Sequence, residues 1–334
     1  MKYKLLGKSG LRVSSLCLGA MTFGEEWGSF GASEDESRKI YDAFLAAGGN
    51  FIDTANKYTE GTSERFLGKF MGSDRGRIVL ATKYTLTMDP ADPNASGNHR
   101  KNLVQSLEAS LRRLQTDYVD LLWVHAWDFL TPACEVMRTL DDVVRAGKVL
   151  YIGISDTPAW VVSRANTMAE LMGWPSFTGI QVQYSLVERT SERELLPMAR
   201  ELDVGVTAWA PLGGGVLTGK YKKEEPGPKR FGPHNPMSEQ FLGDRNLAIA
   251  DEVEKIARQV GRSSAQVALN WIRGQKGKGV LIPILGARTE VQVKDNLGCL
   301  DFELSPEHLE RLDEVSRVPL GFPHDFLNRE NVRH

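Results

Sequence analysis

Ile78-Val79-Leu80-Ala81-Thr82-Lys83-Tyr84, the segment Arg100–Leu114, and Tyr118-Val119-Asp120-Leu121-Leu122-Trp123-Val124-His125 read together as a strand, an amphipathic helix and a second strand. The two apolar runs are short and almost uninterrupted, as buried parallel strands covered on both faces require. Further runs of the same kind lie on either side: Ser15–Leu18 and Asn50–Ile52 before them, then Val149–Ile154, Ile180–Gln183, Val204–Trp209 and Val280–Pro283 after them. Helical periodicity fills the intervals, at Glu34–Ala47, Ser63–Met71, Pro132–Arg145, Ala159–Leu171 and Glu192–Glu201. The first six intervals are about 25 to 40 residues, the length of one βα unit.

The seventh interval is longer. It holds a Gly/Pro/Lys-rich loop between Gly213 and Gly243 and two helical patterns, Arg245–Val260 and Ser264–Arg273, the second with Ser263 as its cap. Helical patterns at Glu290–Leu297 and Glu307–Val315 and a polar tail follow the last run. Ahead of the first, Lys4–Leu6 and Leu11–Val13 flank Gly7-Lys8-Ser9-Gly10, a hairpin signal suited to plugging a barrel end. Eight alternating units predict an α/β chain folded as a (β/α)8 TIM barrel. A doubly wound sheet competes, but the chain contains no G-x-G-x-x-G phosphate loop. One domain over 1–334 is expected: hairpin 3–14, barrel 15–298, C-terminal helix and tail 299–334.

Composition narrows the function classes. The chain has 334 residues, enough for a barrel of ~250 residues with insertions. A formal charge of −2 provides no footprint for nucleic acid, and no apolar stretch approaches the ~20 residues of a membrane span. Three cysteines without C-x-x-C spacing, and no apolar leader, predict a reduced, cytoplasmic protein. None of the six histidines, at 99, 125, 234, 308, 324 and 334, shows metal-ligand spacing, so no metal is expected. Gly214 to Lys220 imitates a Walker loop, but Tyr221 stands where the Mg²⁺-binding hydroxyl belongs.

Barrel enzymes place their chemistry at the C-terminal strand ends. Asp53 ends the second run, Lys83 the third and His125 the fourth, and Tyr58 follows Asp53 by five residues. Singly, each has a structural alternative: a helix cap, a surface lysine, a core histidine, a packed ring. Together they suit carbonyl reduction, which needs a proton where negative charge develops on oxygen. A phenol titrates near 10, too high for an efficient acid, and a neighbouring ammonium lowers that value. Lys83 is expected to do so for Tyr58, with Asp53 keeping the amine charged and His125 orienting the carbonyl.

These segments resemble the aldo-keto reductase superfamily. Gly48-Gly49-Asn50-Phe51-Ile52-Asp53-Thr54-Ala55 with Tyr58, Ala81-Thr82-Lys83 and Val124-His125 are similar to its catalytic segments. Asn56 and Ile154-Ser155-Asp156-Thr157-Pro158-Ala159-Trp160 are similar to its aryl-alcohol-dehydrogenase-like members. The resemblance implies a cofactor, NADPH/NADP+ rather than NADH, and assigns its contacts. Gly19, Met21, Thr22 and Asp53 form the opening contacts, and Ser155, Asp156 and Gln181 hold the carboxamide, with Asp156 where Asn is common. Trp209 stacks on the nicotinamide in place of the usual Tyr. Pro211, Leu212, Gly214, Gly219 and Lys220 cross the pyrophosphate, and Gly286, Arg288, Gln292, Asp295 and Asn296 take the adenosine end. Arg288 would pair the 2′-phosphate.

The resemblance also implies a small-molecule carbonyl substrate, an aryl aldehyde for preference, with Trp27, Tyr84 and Trp127 as pocket candidates beside Phe231 and Phe322. A flap around 222–236 would order on cofactor binding. The alternative is a potassium-channel β-subunit-like, NADPH-binding regulatory protein with vestigial turnover, disfavoured because no long extension precedes the barrel. Neither a membrane nor a nucleic-acid partner is expected, and the sequence does not give the oligomeric state.

Overall fold

Parallel strands buried on both faces can satisfy their edges by closing on themselves, and this chain does so. The computed structural model describes residues 1–221 and 238–333; the expected flap and Phe231 lie outside them. After an antiparallel hairpin of β1 (Tyr3–Leu5) and β2 (Arg12–Ser14), eight parallel strands form a closed barrel among the described residues. They are β3 (Cys17–Gly19), β4 (Phe51–Asp53), β5 (Val79–Tyr84), β6 (Val119–Val124), β7 (Val149–Ser155), β8 (Gly179–Gln183), β9 (Gly205–Trp209) and β10 (Leu281–Gly286). Each pairs with its neighbour in sequence, and β10 closes on β3 through Ile284–Cys17, Leu285–Leu18 and Gly286–Gly19.

The helices are α1 (Glu34–Ala46), α2 (Thr62–Met71), α3 (Arg100–Leu114), α4 (Ala133–Arg145), α5 (Ala159–Met172), α6 (Leu195–Glu201), α7 (Ser238–Leu242), α8 (Asp244–Val260), α9 (Ser264–Gly274), α10 (Glu290–Leu297) and α11 (Pro306–Ser316). Two short helices, α12 (His324–Leu327) and α13 (Glu330–Arg333), occupy what reads in the sequence as a polar tail. Helix α6 starts three residues later than its periodicity suggests. The Glu192 carboxylate is drawn away to accept hydrogen bonds from Arg189, Tyr184 and Lys278, and Thr190–Glu192 forms a 3₁₀ turn instead. Pro283 does not end β10, which runs on to Gly286.

The strand period of two divides the core into two compartments. Ile52, Leu80, Leu122, Ile154, Ile180, Val206 and Leu285 face outward under the helices. Cys17, Phe51, Val79, Ala81, Leu121, Trp123, Ile282 and Ile284 fill the barrel interior. Leu6 and Val13 of the hairpin join this inner cluster, so the hairpin does plug the barrel. Lys8 N donates to Asp203 O at 2.7 Å and Lys4 Nζ to Leu281 O at 2.9 Å, fastening the plug to the strand starts.

Trp123 is fully buried and spans this interior, made possible by two missing side chains opposite it. A Cβ on Gly153 would lie 2.4 Å from the indole, and one on Gly179 2.9 Å away. A rigid ring at the barrel centre has nowhere to retreat. Gly153→Ala is therefore expected to destabilise the protein by about 1–3 kcal/mol, the ordinary cost of overpacking. Urea unfolding would show it as a lower midpoint; an unchanged midpoint would mean that the indole has room.

Candidate active site

The parity that sends Phe51, Ala81, Leu121 and Gly153 inward also decides what reaches the upper rim. Further along each strand in the same parity, the inward positions are Asp53 on β4, Lys83 on β5 and Ser155 on β7, each two residues on, and His125 just past β6, four residues on. Trp209, Gly286 and Gly19 end β9, β10 and β3 in the same sense, and Gln181 lies on β8 two residues before its end. Of these eight residues all but Lys83 line one cavity of ≈ 810 Å³ at the C-terminal mouth. Lys83 lies just beneath it, with no exposure to solvent.

A buried ammonium needs partners on every side. Lys83 Nζ donates to an Asp53 carboxylate oxygen, to Thr54 O at 2.9 Å and to Tyr58 Oη at 3.1 Å. The other Asp53 oxygen accepts from Gln181 Nε2 at 3.0 Å. Tyr58 comes from the loop after β4 and stands edge-on to His125, ring centroids 5.9 Å apart, and to Trp27, 6.3 Å apart. The four residues expected to act together therefore converge.

Their ionisation differs from the sequence expectation in one respect. Burial pushes the Tyr58 phenol above its ordinary value; the Lys83 ammonium lowers it but does not win. The Lys83 amine is raised above its usual value: burial acts to lower it, and Asp53 and Tyr58 more than compensate. His125 is pushed down to about 3 by burial and by the positive charge of Lys83. Its Nδ1 is enclosed without a partner, so Nε2 is the nitrogen open to the cavity. At neutral pH the rim thus presents a protonated phenol, an ammonium and a neutral imidazole.

Met21, Thr22, Asp156, Pro211, Leu212, Gly214, Lys220, Arg288, Gln292, Asp295, Asn296 and Trp27 also line the cavity. Four expected residues do not. Tyr84 has the opposite parity from Lys83, so its ring packs in the outer core and its hydroxyl donates to Asn98 O. Trp127 lies beyond the strand and packs half-buried against the same outer core. Gly219 caps the 3₁₀ turn Gly213–Thr218 with φ of 78°, a turn position outside the lining. Phe322 is exposed on the tail.

The donor set suits a dinucleotide. Ser155 Oγ is buried with no hydrogen-bond partner in the protein, as a carboxamide-binding hydroxyl would be. Trp209 presents its ring at the mouth, its indole N–H donating to Asp156 Oδ1 at 3.0 Å. At the far end two helices start toward the cavity: α9, capped by Ser263, and α10, capped by Thr289. Helix starts carry partial positive charge and unsatisfied N–H groups, a setting for phosphate. Asp295 of α10 braces the start of α9 by accepting from Ser263 Oγ at 2.8 Å and Gln266 Nε2 at 3.0 Å.

The sequence reading missed Ser263, Ser264 and Ala265 as cavity residues, although Ser263 reads as a cap beside the last strand. Phe30, Lys57, Leu86 and Phe241 arrive from loops and a short helix, and no periodicity marks them. The structure holds no metal-type cluster of His, Cys, Asp and Glu among the described residues. There is also no helix among them long and apolar enough to cross a membrane.

Comparison with known proteins agrees with this geometry. Residues 15–317 match the sequence model of the Aldo/keto reductase family. A norsolorinic acid reductase of Aspergillus flavus is 37% identical over 332 residues, covering 97% of this chain and 83% of that protein. A putative aryl-alcohol dehydrogenase of Saccharomyces cerevisiae is 36% identical, covering 98% and 89%. An aryl-alcohol dehydrogenase of Pestalotiopsis microspora is 37% identical, covering 98% and 85%.

The depressed basicity of His125 has a consequence for stability. Unfolded, this imidazole titrates near 6.5. Below that pH the unfolded chain takes up a proton that the folded one refuses until about 3. The contribution is therefore complete above pH 6.5 and is lost as pH falls toward 3. Between pH 7 and 4.5 the wild type should lose up to roughly 3 kcal/mol more unfolding free energy than His125→Gln, at about 1.4 kcal/mol per unit. Equal losses would show that the folded imidazole takes the proton after all.

Proposed function

The chain belongs to the aldo/keto reductase family, and from that premise we propose that it reduces the carbonyl of an aldehyde or ketone to an alcohol, reversibly, with NADPH. The observation that carries this reading is the Lys83 ammonium, buried and hydrogen-bonded to both the Asp53 carboxylate and Tyr58 Oη. The residues that would hold the cofactor are those already described: Ser155, Asp156 and Gln181 for the carboxamide, Trp209 for the ring face, Pro211 to Lys220 for the pyrophosphate. When bound, the nicotinamide supplies the hydride.

The chain's own part is proton delivery and orientation. Neutral His125 donates from Nε2 to the carbonyl oxygen and aims it. As charge develops there, Tyr58 Oη gives up its proton to the same oxygen, and Lys83 stabilises the phenolate left behind. A phenol with a raised pKa remains protonated through neutral and mildly alkaline pH, the form that reduction needs. Asp53 keeps the ammonium charged, since burial alone would neutralise it.

A preference for NADPH over NADH is supported by Arg288, which lines the cavity together with the first residues of α9 and α10, the end that this reading gives to the adenosine. A guanidinium matches the 2′-phosphate oxygens and finds nothing comparable on a bare ribose. Trp27, Phe30 and Leu86 line the outer cavity beside Tyr58 and support a flat, apolar substrate, an aryl aldehyde for preference. The names of the relatives, an aryl-alcohol dehydrogenase and a norsolorinic acid reductase, point the same way. Three free cysteines, two of them buried, support a reducing compartment and hence the cytoplasm.

Two measurements test the proposal. Tyr58→Phe should abolish reduction of benzaldehyde while NADPH still binds, as followed by protein fluorescence; full turnover would remove Tyr58 as the donor. Arg288→Ala should weaken NADPH by ~1.5–3 kcal/mol, the scale of a lost charge-assisted hydrogen bond, and leave NADH much less affected. Equal losses for the two nucleotides would take Arg288 out of the phosphate site.

A further inference from the structure

The turn that carries the proton donor is made in an unusual way. After Tyr58 the chain passes through three consecutive left-handed residues: Thr59 (φ 44°, ψ 45°), Glu60 (φ 51°, ψ 39°) and Gly61 (φ 84°, ψ 0°). Glycine adopts this conformation freely, but a β-branched residue there is an outlier that its surroundings must enforce. Thr59 is also fully buried, so its hydroxyl has to be satisfied within the protein.

We propose that Thr59 is a positioning residue for the proton donor: its hydroxyl locks the left-handed turn that keeps Tyr58 Oη on the Lys83 ammonium. The inference rests on the reading of Tyr58 as proton donor. Thr59 Oγ1 donates to Phe23 O at 2.5 Å and accepts from Ser63 N at 3.1 Å. Ser63 in turn donates from Oγ to Ala20 O at 2.7 Å and meets Thr54 Oγ1 at 2.7 Å. Three buried hydroxyls thus tie the turn to the chain leaving β3, to the first turn of α2 and to the residue after Asp53.

The fit on the β3 side is close. Gly24 has φ of 114°, and a Cβ there would lie 2.8 Å from both Cβ and Oγ1 of Thr59. The segment that accepts the Thr59 hydroxyl is the one that gives Met21 and Thr22 to the cavity, and Thr22 Oγ1 donates to Ala287 O at 2.6 Å. Glu60 completes the turn from outside, accepting from Lys57 Nζ at 2.8 Å and Trp27 Nε1 at 3.4 Å. The side chain at 59 touches neither the reacting atoms nor the cavity, so its effect passes through the placement of Tyr58.

Thr59→Val keeps the shape and removes the hydroxyl, Thr59→Ser keeps the hydroxyl, and Thr59→Gly removes the hydroxyl while relieving the backbone. Val and Gly are expected to lower kcat for benzaldehyde roughly ten- to hundred-fold, the scale set by small misplacements of a reacting group. NADPH affinity should be unchanged. The alkaline limb of the pH–rate profile should move to higher pH, because the phenol loses the ammonium that lowers it. In ¹³Cζ-tyrosine NMR the Tyr58 resonance, assigned with Tyr58→Phe, should titrate later in both variants. Ser should restore kcat and the limb.

Wild-type kcat and an unmoved limb in Thr59→Gly would overturn the proposal, as would a loss of thermal stability in Val with no change in either. Active Tyr58→Phe would instead bring down the donor assignment on which it rests. An inactive Tyr58→Phe beside a fully active Thr59→Gly would refute the role of Thr59 alone.

Discussion

A lysine ammonium with no access to water constrains everything around it. Lys83 sits at the inward end of β5, above a dry layer of Trp123, Leu121 and Phe51. A charge buried there without partners would cost several kcal/mol, and Asp53, Thr54 O and Tyr58 Oη together offset that cost. Asp53 is fixed in turn by Gln181 from β8, across the barrel. The network thereby stitches three strands together, and the arrangement that satisfies a structural demand also presents an acid beside a cation. His125 feels the same charge from the next strand, which with burial keeps it neutral.

Much of this was legible because a strand has a period of two. Once Phe51, Ala81 and Leu121 are taken as inward, Asp53, Lys83 and His125 must follow them into the mouth, and the apolar runs are distinct enough to set that register. The same rule should have excluded Tyr84, which follows Lys83 directly and so faces the helices. Trp127 and Gly219 were misplaced for another reason: both lie in connections, where parity no longer applies. Phe30, Leu86 and Phe241 reach the cavity from connections too, and only the tertiary fold brings them there. One helix terminus was readable too: Ser263 reads as a cap, and its side chain accepts from the third residue of α9, whereas the equivalent bond made by Thr289 at the start of α10 was not marked in advance.

The far end of the cavity depends on backbone as much as on side chains. The start of α9 is tied to α10 through Asp295, which accepts from the cap Ser263 and from Gln266, so one positive helix end meets the α10 residues Gln292, Asp295 and Asn296 along the cavity wall. At the near end Asp156 stands where the family resemblance calls for Asn, beside a Trp where Tyr is usual. The two departures are physically matched: an indole N–H needs an acceptor that a phenol ring edge does not, and the Asp156 carboxylate provides it at 3.0 Å. Ser155 Oγ, by contrast, remains without a protein partner. The hydroxyl is thus the group left over for a ligand, and the carboxylate is largely committed to the ring.

Among the described residues, Gln115 and Asp203 are left-handed in the turns that lead into β6 and β9, and the other non-glycine residues with positive φ follow strand ends on the rim side. Thr85 (φ 117°) follows β5, Asp156 (φ 41°) follows β7 and Ala210 (φ 49°) follows β9, each the first residue past its strand. Thr59 and Glu60 repeat the pattern in the loop after β4. A non-glycine residue in this region persists only where its neighbours leave no alternative. Here the neighbours are the strands themselves, held by the packed interior below and closed by the hairpin plug. Turning the chain sharply at the strand end keeps the next side chains over the mouth rather than letting them run outward. Asp156 reaches Trp209 by this means, and Tyr58 reaches Lys83 by the longer route through its own loop. A relaxed rim would put the same residues on the same strands and lose the distances between them, so the rigid lower barrel serves the chemistry by holding a strained upper edge in register.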